Sequence, residues 1–149
     1  MKISSLFAAG ALYAASAFAQ SVTIAAPPNM ATAAAGSDIV VQVDRPNFTS
    51  SVNEVAVVIA VFPCFVEEPE FCPAFQRDGV GAILYSGPFD PYELVPNPNN
   101  EPPQESFTVK IPPGTKTGPA VLSLTHWSFI GANNEYFFET KNITLVITE

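Results

Sequence analysis

His126 is the chain's only histidine, and it stands beside the only tryptophan, Trp127, in the stretch LSLTHWSFIGA (122–132). An imidazole titrates near neutral pH without any help from its surroundings, so this is where acid–base or metal chemistry would be sought first. A single histidine restricts that chemistry sharply. A Ser-His-Asp triad would have to use His126 as its base, and no serine stands in a G-x-S-x-G setting. A metal centre built on several histidines is excluded by arithmetic. The two cysteines, Cys64 and Cys72, have hard carboxylate oxygens for neighbours rather than imidazoles. Carboxylate pairs for glycoside hydrolysis lie in loop sequence, with no row of tryptophans to hold a sugar chain. No catalytic residue, metal or cofactor is expected.

Other residues suit recognition better than catalysis. Between Glu67 and Glu105 stand eight acids, among them Glu67, Glu68, Glu70, Asp90 and Glu93, against one base, Arg77. The stretch PFDPYELVPNPNNEPPQ (88–104) holds six prolines and three asparagines, a composition for an extended surface connection. On that stiffened backbone Phe89 and Tyr92 are expected as exposed aromatics. With Glu67, Glu68, Glu70, Asp90 and Trp127 they form the candidate binding set. The formal net charge of −8 disfavours nucleic acid and anionic membrane surfaces, both of which need clustered lysine and arginine.

The first nineteen residues join Lys2, an apolar run from Leu6 to about Ala15 and the small-residue triplet Ala17-Phe18-Ala19, the pattern of a cleaved secretory leader. One mature domain from Gln20 to Glu149 is expected, secreted and extracellular, with no membrane insertion. In that setting Cys64 and Cys72, bracketed by prolines in PCFVEEPEFCP, are expected to form a disulfide. Closing so short a loop is worth roughly 2.5 kcal/mol in the chain-entropy model. Two N-x-[ST] sequons, at Asn47 and Asn142, are candidate glycosylation sites.

The elements that must position these residues read as strands. Ile39, Val41 and Val43 alternate in SDIVVQVDR, and Ile143, Leu145 and Ile147 alternate in NITLVIT. VNEVAVVIAVF is almost continuously apolar and β-branched, as a strand covered on both faces would be. SVTIAA, GAILYSG, ESFTVKI and AVLSLTHWSFI complete a set of seven, separated by turns rich in proline and glycine. The expected fold is all-β, an immunoglobulin-like or fibronectin-like antiparallel sandwich of two sheets. On the strand carrying His126, Leu122, Leu124, His126 and Ser128 share one face, and Thr125, Trp127 and Phe129 share the other. His126 is thus expected on the inner face near its rim and Trp127 outside, so the pair cannot serve one site.

The order AGSDIVVQV, NFTSSV before a long apolar strand, GAILYSGPFDP, FTVKIPPGTKTGPAVLSLTHWSFIGA and closing ETKNITLVI resembles the fungal necrosis-inducing secreted protein family of effectors. The similarity runs from about Ser21 to Ile147. It implies a small secreted β protein that acts by binding. Its implied partner is a plant immune receptor-associated kinase, and its implied role in virulence is suppression of pattern-triggered immunity. The Cys64 to Cys72 loop and the acidic stretch Glu67–Gln104 depart from the family pattern. An alternative resemblance is to the immunoglobulin-like module of fungal wall-assembly proteins, which implies a wall polysaccharide as partner, stacked on Tyr85, Tyr92 and Trp127.

Overall fold

The computed structural model describes residues 21–47, 50–64, 72 and 79–149. The expected leader lies outside the described residues, as do Glu67, Glu68 and Glu70. Eight strands form: β1 (Thr23–Ala26), β2 (Ala31–Ala34), β3 (Asp38–Asp44), β4 (Val52–Pro63), β5 (Ala82–Gly87), β6 (Gln104–Lys110), β7 (Gly118–Ile130) and β8 (Glu135–Thr148). They build a three-stranded sheet in the order β1-β3-β6 and a five-stranded sheet in the order β2-β8-β7-β4-β5, an arrangement consistent with a β-sandwich. No helix occurs among the described residues, and none is long and apolar enough to cross a membrane.

Period-two alternation explains which side chains meet between the sheets. Val41 and Val43 of β3 and Phe107 and Val109 of β6 project from the small sheet. Val57, Ile59 and Val61 of β4, Leu122 and Leu124 of β7, and Leu145 and Ile147 of β8 project from the large one. All are buried in one continuous cluster. The near-continuous apolar run of β4 has a structural counterpart, since Ala60 and Phe62 are buried on its other face as well.

The all-β, two-sheet expectation is met, with an eighth strand beyond the seven read from the sequence. The pairing differs in one place: β2 runs parallel to the end of β8, with Ala31 opposite Leu145 and Ala34 opposite Thr148. The segment ATAA has one β-branched residue, Thr32, and otherwise only alanines, too little to mark a strand by itself. It is recruited by a partner more than 110 residues away, whose backbone groups would otherwise lack a neighbour. The last strand also begins earlier than NITLVIT suggests. It pairs with β7 from Ile130 opposite Glu135 onward, across a turn in which Gly131 (φ 74°) and Asn134 (φ 51°) take left-handed conformations.

Local devices hold the margins. Gly81 sits at φ +80° where an added Cβ would lie 2.2 Å from the Val61 carbonyl oxygen, so only glycine permits β5 to approach β4 there. The expected Cys64–Cys72 disulfide forms, with Cα atoms 5.3 Å apart, and the Cys64 amide donates to the Pro119 carbonyl at 2.9 Å. Replacing Leu124 by alanine should lower unfolding free energy by about 2–5 kcal/mol, whereas Ile83→Ala, on a side chain 61% exposed, should stay within about 0.5 kcal/mol. Urea unfolding followed by Trp127 fluorescence checks this. Equal midpoint shifts for the two variants would contradict the assigned inner face.

Candidate functional site

His126 lies on the inner phase of β7 and is fully buried, directly opposite Glu139 of β8. Its Nδ1 is 3.2 Å from Glu139 Oε1, and its Nε2 is 2.6 Å from Glu54 Oε2. Glu54 reaches the ring because of a β-bulge. Glu54 pairs with Ser128 and Ala56 with Trp127, so Val55 is an extra residue on β4 that turns Glu54 onto the core side. Glu139 also accepts from Ser21 Oγ (2.5 Å) and the Val22 amide (2.8 Å), and its Oε2 lies 3.1 Å from Lys141 Nζ. Arg45 Nε stands 3.8 Å from Glu54 Oε1. Two carboxylates are therefore faced by three cationic groups, and the start of β1 is tied to the five-stranded sheet.

The electrostatics follow from this packing. Burial opposes the imidazolium charge, but hydrogen bonds to Glu139 and Glu54 and the negative charges of both carboxylates outweigh it and raise the His126 pKa. Burial likewise opposes ionisation of Glu139. The hydrogen bonds from His126, Ser21, Val22 and Lys141 overcome it and hold the carboxyl at about 2. Phe89 and Phe137 close over the ring edge-on, at centroid distances of 5.6 and 6.5 Å. With both nitrogens engaged by carboxylates, the imidazole offers no lone pair to a metal or to the buried Ser128 hydroxyl. Among the described residues, no group of three or more His, Cys, Asp or Glu is arranged to hold a metal ion. The cluster's chemistry is that of a buried ion network joining β1, β4, β7 and β8.

The proline-rich connection after β5 is fastened at both ends. Phe89 was expected in solvent, but its side chain is 3% exposed and packs near Phe107 and His126. The apolar ring plugs the end of the core that the charged cluster would otherwise leave open. Tyr92 and Gln104 exchange backbone hydrogen bonds at 3.0 and 3.1 Å, and the Asp90 amide donates to Glu105 Oε2. Beyond them, Asn97 and Glu101 bond reciprocally at 2.8 Å and close a turn. The loop thus presents Tyr92 (57% exposed) and Val95 (91% exposed) among exposed Asp90, Glu93 and Glu101.

Trp127 faces outward, 44% exposed, on the far side of the large sheet. Tyr85, Tyr92 and Trp127 do not come together. Tyr85 stacks on Phe107 at 4.6 Å with its hydroxyl donating to the Pro88 carbonyl, and Tyr92 bridges to the small sheet at Gln104. Instead, Trp127 has Phe129, Tyr136 and Phe138 as neighbours. Trp127 pairs with Phe138 and Phe129 with Tyr136, so the four rings share one face. Tyr136 and Phe138, together with Glu54 and Glu139, are absent from the residues that sequence reasoning names. One signal was available: extending the alternation of NITLVI back to Glu135 places Glu139 in phase with Ile143 and Leu145, and Tyr136 and Phe138 in the opposite phase. Glu54 had none, because a bulge leaves no mark on composition. Asn47 and Asn142 are both exposed, and Asn142 borders a shallow groove of about 240 Å³ lined by Thr23, Ile24, Lys141 and Ile143.

Taken together, these features define a small two-sheet β protein whose lone histidine sits in a buried ion network within the core. The chain belongs to the Nis1 family, whose model matches residues 17–146, and membership points to an effector-like role. No curated protein matches it by sequence. Among solved structures it is similar to a superoxide reductase (neelaredoxin) from Ignicoccus hospitalis, with 16% identity, 84% of this chain and 80% of that chain covered, and a TM-score of 0.43. That likeness carries no functional inference.

The ion network makes stability depend on pH from both sides. Stability from His126 is complete below its ordinary value of 6.5 and is lost as pH rises through the raised folded value. Stability from Glu139 is present above its ordinary 4.5 and is lost as pH falls toward about 2. Thermal midpoints measured from pH 3 to 9 should therefore peak between about pH 4.5 and 6.5. His126→Gln should lower the peak and flatten the alkaline limb. A midpoint that climbs from pH 6 to 8 would contradict the charged network.

Proposed function

We propose that the protein is a secreted fungal effector that works by binding a host protein rather than by catalysis, with the connection from Pro88 to Gln104 as its contact surface. Family membership supports the effector class. The observation that carries the choice of surface is the fastened loop, which holds Tyr92 and Val95 out among three acids and no base. Because the reciprocal Asn97–Glu101 bonds and the Tyr92–Gln104 bridge order the loop beforehand, binding costs little conformational entropy. Tyrosine is enriched among the energetic centres of interfaces, and the surrounding carboxylates select a basic surface and speed encounter.

The partner assigned by the family resemblance is the kinase domain of plant immune receptor complexes, and the consequence is suppression of pattern-triggered immunity. Secretion accords with the leader pattern and with the disulfide, a bond of oxidising compartments. Glycosylation at Asn47 and Asn142 belongs to the same reading.

Surface plasmon resonance with the oxidised mature chain and immobilised kinase domains provides the test. Saturable binding that weakens as salt rises is expected, and Tyr92→Ala with Val95→Ser should weaken it at least tenfold while leaving the unfolding midpoint within about 0.5 kcal/mol of the parent. Absence of binding, or full affinity in the double variant, would sink the reading.

A further inference from the structure

The outer face of the large sheet carries a feature that the loop-mediated reading does not use. The registers of β4, β7 and β8 place three rows of residues side by side: Asn53, Phe129 and Tyr136; Ala56, Trp127 and Phe138; Val58, Thr125 and Thr140. Directly paired antiparallel residues share a face, so these nine side chains form one continuous surface. Tyr136 is 82% exposed, Phe138 65% and Trp127 44%, with Trp127 and Phe129 rings 5.8 Å apart. Burial within the chain does not account for rings left this far in water.

The composition of the face is the second observation. None of the nine residues is charged, in a chain whose net charge is −8. The charges of these strands fall in the other phase: Glu54 and Glu139 point to the cluster at His126, and Lys141 follows Glu139 there. The polar groups that remain are amides and hydroxyls. Asn53 Nδ2 donates to Asn134 Oδ1 at 3.1 Å, and the Thr125 and Thr140 hydroxyls lie 3.2 Å apart.

We propose that this face is a docking platform for a neutral polysaccharide. A sugar ring presents apolar C–H groups of slightly positive character on its faces, which suit the electron-rich faces of Trp127, Tyr136 and Phe138. Its rim of hydroxyls needs donors and acceptors without charge, and Asn53, Thr125 and Thr140 supply them. A basic or acidic protein would find no complementary charge here, and an anionic membrane would find no lysine or arginine. The platform lies on the opposite layer from Tyr92, so the protein would hold a wall glycan with one face and leave the 88–104 loop free.

Trp127, as the only tryptophan, reports directly on occupancy of the platform. The oxidised mature chain carrying Asn142→Gln, so that no glycan of its own sits beside the platform, is titrated with hexamers of β-1,3-glucan, β-1,4-glucan and N-acetylglucosamine, and with polygalacturonate as the charged comparison. At least one neutral hexamer should give a saturable blue shift that persists at high salt. Tyr136→Ala with Phe138→Ala should weaken that binding at least tenfold with an unchanged unfolding midpoint, and Tyr92→Ala should leave it intact. The proposal is overturned if no neutral hexamer shifts the emission, if only polygalacturonate does, or if the double variant binds as the parent does. Sedimentation showing a dimer that Phe138→Ala dissociates would likewise overturn it and give the face to a second copy.

Discussion

Strand β7 is hydrogen-bonded along nearly its whole length to β4 on one side and β8 on the other. A slip of one residue would turn Leu122, Leu124 and His126 out to water and bring Trp127 and Thr125 into the core. That register decides what is inside and what is outside for the rest of the large sheet. The small sheet then closes over it with Val41, Val43, Phe107 and Val109. Burial of these β-branched and aromatic side chains supplies the driving force, and the three-strand pairing supplies the uniqueness.

A fully buried histidine is compatible with such a core only if its polar atoms are matched, because an unpaired buried donor or charge costs several kcal/mol. The match here is assembled from distant parts of the chain. Glu139 comes from the facing strand by register alone, whereas Glu54 arrives through the bulge at Val55. Ser21 and Val22 complete the Glu139 shell and pin the first strand across the sheet boundary. The same pairing makes His126 the meeting point of β1, β4, β7 and β8. Phe89 closes the remaining opening, so the loop that begins at Pro88 is anchored in the core rather than draped over it.

These constraints leave a Nis1-family chain with two surfaces of opposite character. The 88–104 connection is acidic and ordered by its own asparagine and glutamate bonds. The outer face around Trp127, Tyr136 and Phe138 is aromatic and its nine paired residues carry no charge. Both depend on the core for their rigidity: the loop through Phe89, and the face through the inward-pointing alternates of its own strands. Rigid presentation of a surface lowers the ordering cost of any recognition it takes part in.

Period-two alternation was enough to read seven of the strands, the inward placement of His126 and the outward placement of Trp127, because those properties are local to a strand and its pleat. The disulfide was legible too, since the short, proline-flanked spacing of Cys64 and Cys72 holds the two sulfurs near each other whatever the rest of the fold does. β2 was not legible, because ATAA has no pattern of its own and becomes a strand only beside the end of β8. Phe89 reads as exposed from its proline-rich surroundings, yet its ring packs near Phe107 and His126 in the core. Glu54 as the second partner of His126, and the meeting of Trp127 with Tyr136 and Phe138, were decided by tertiary structure alone. A bulge and a cross-strand register are relations between strands, and no single stretch of sequence contains them.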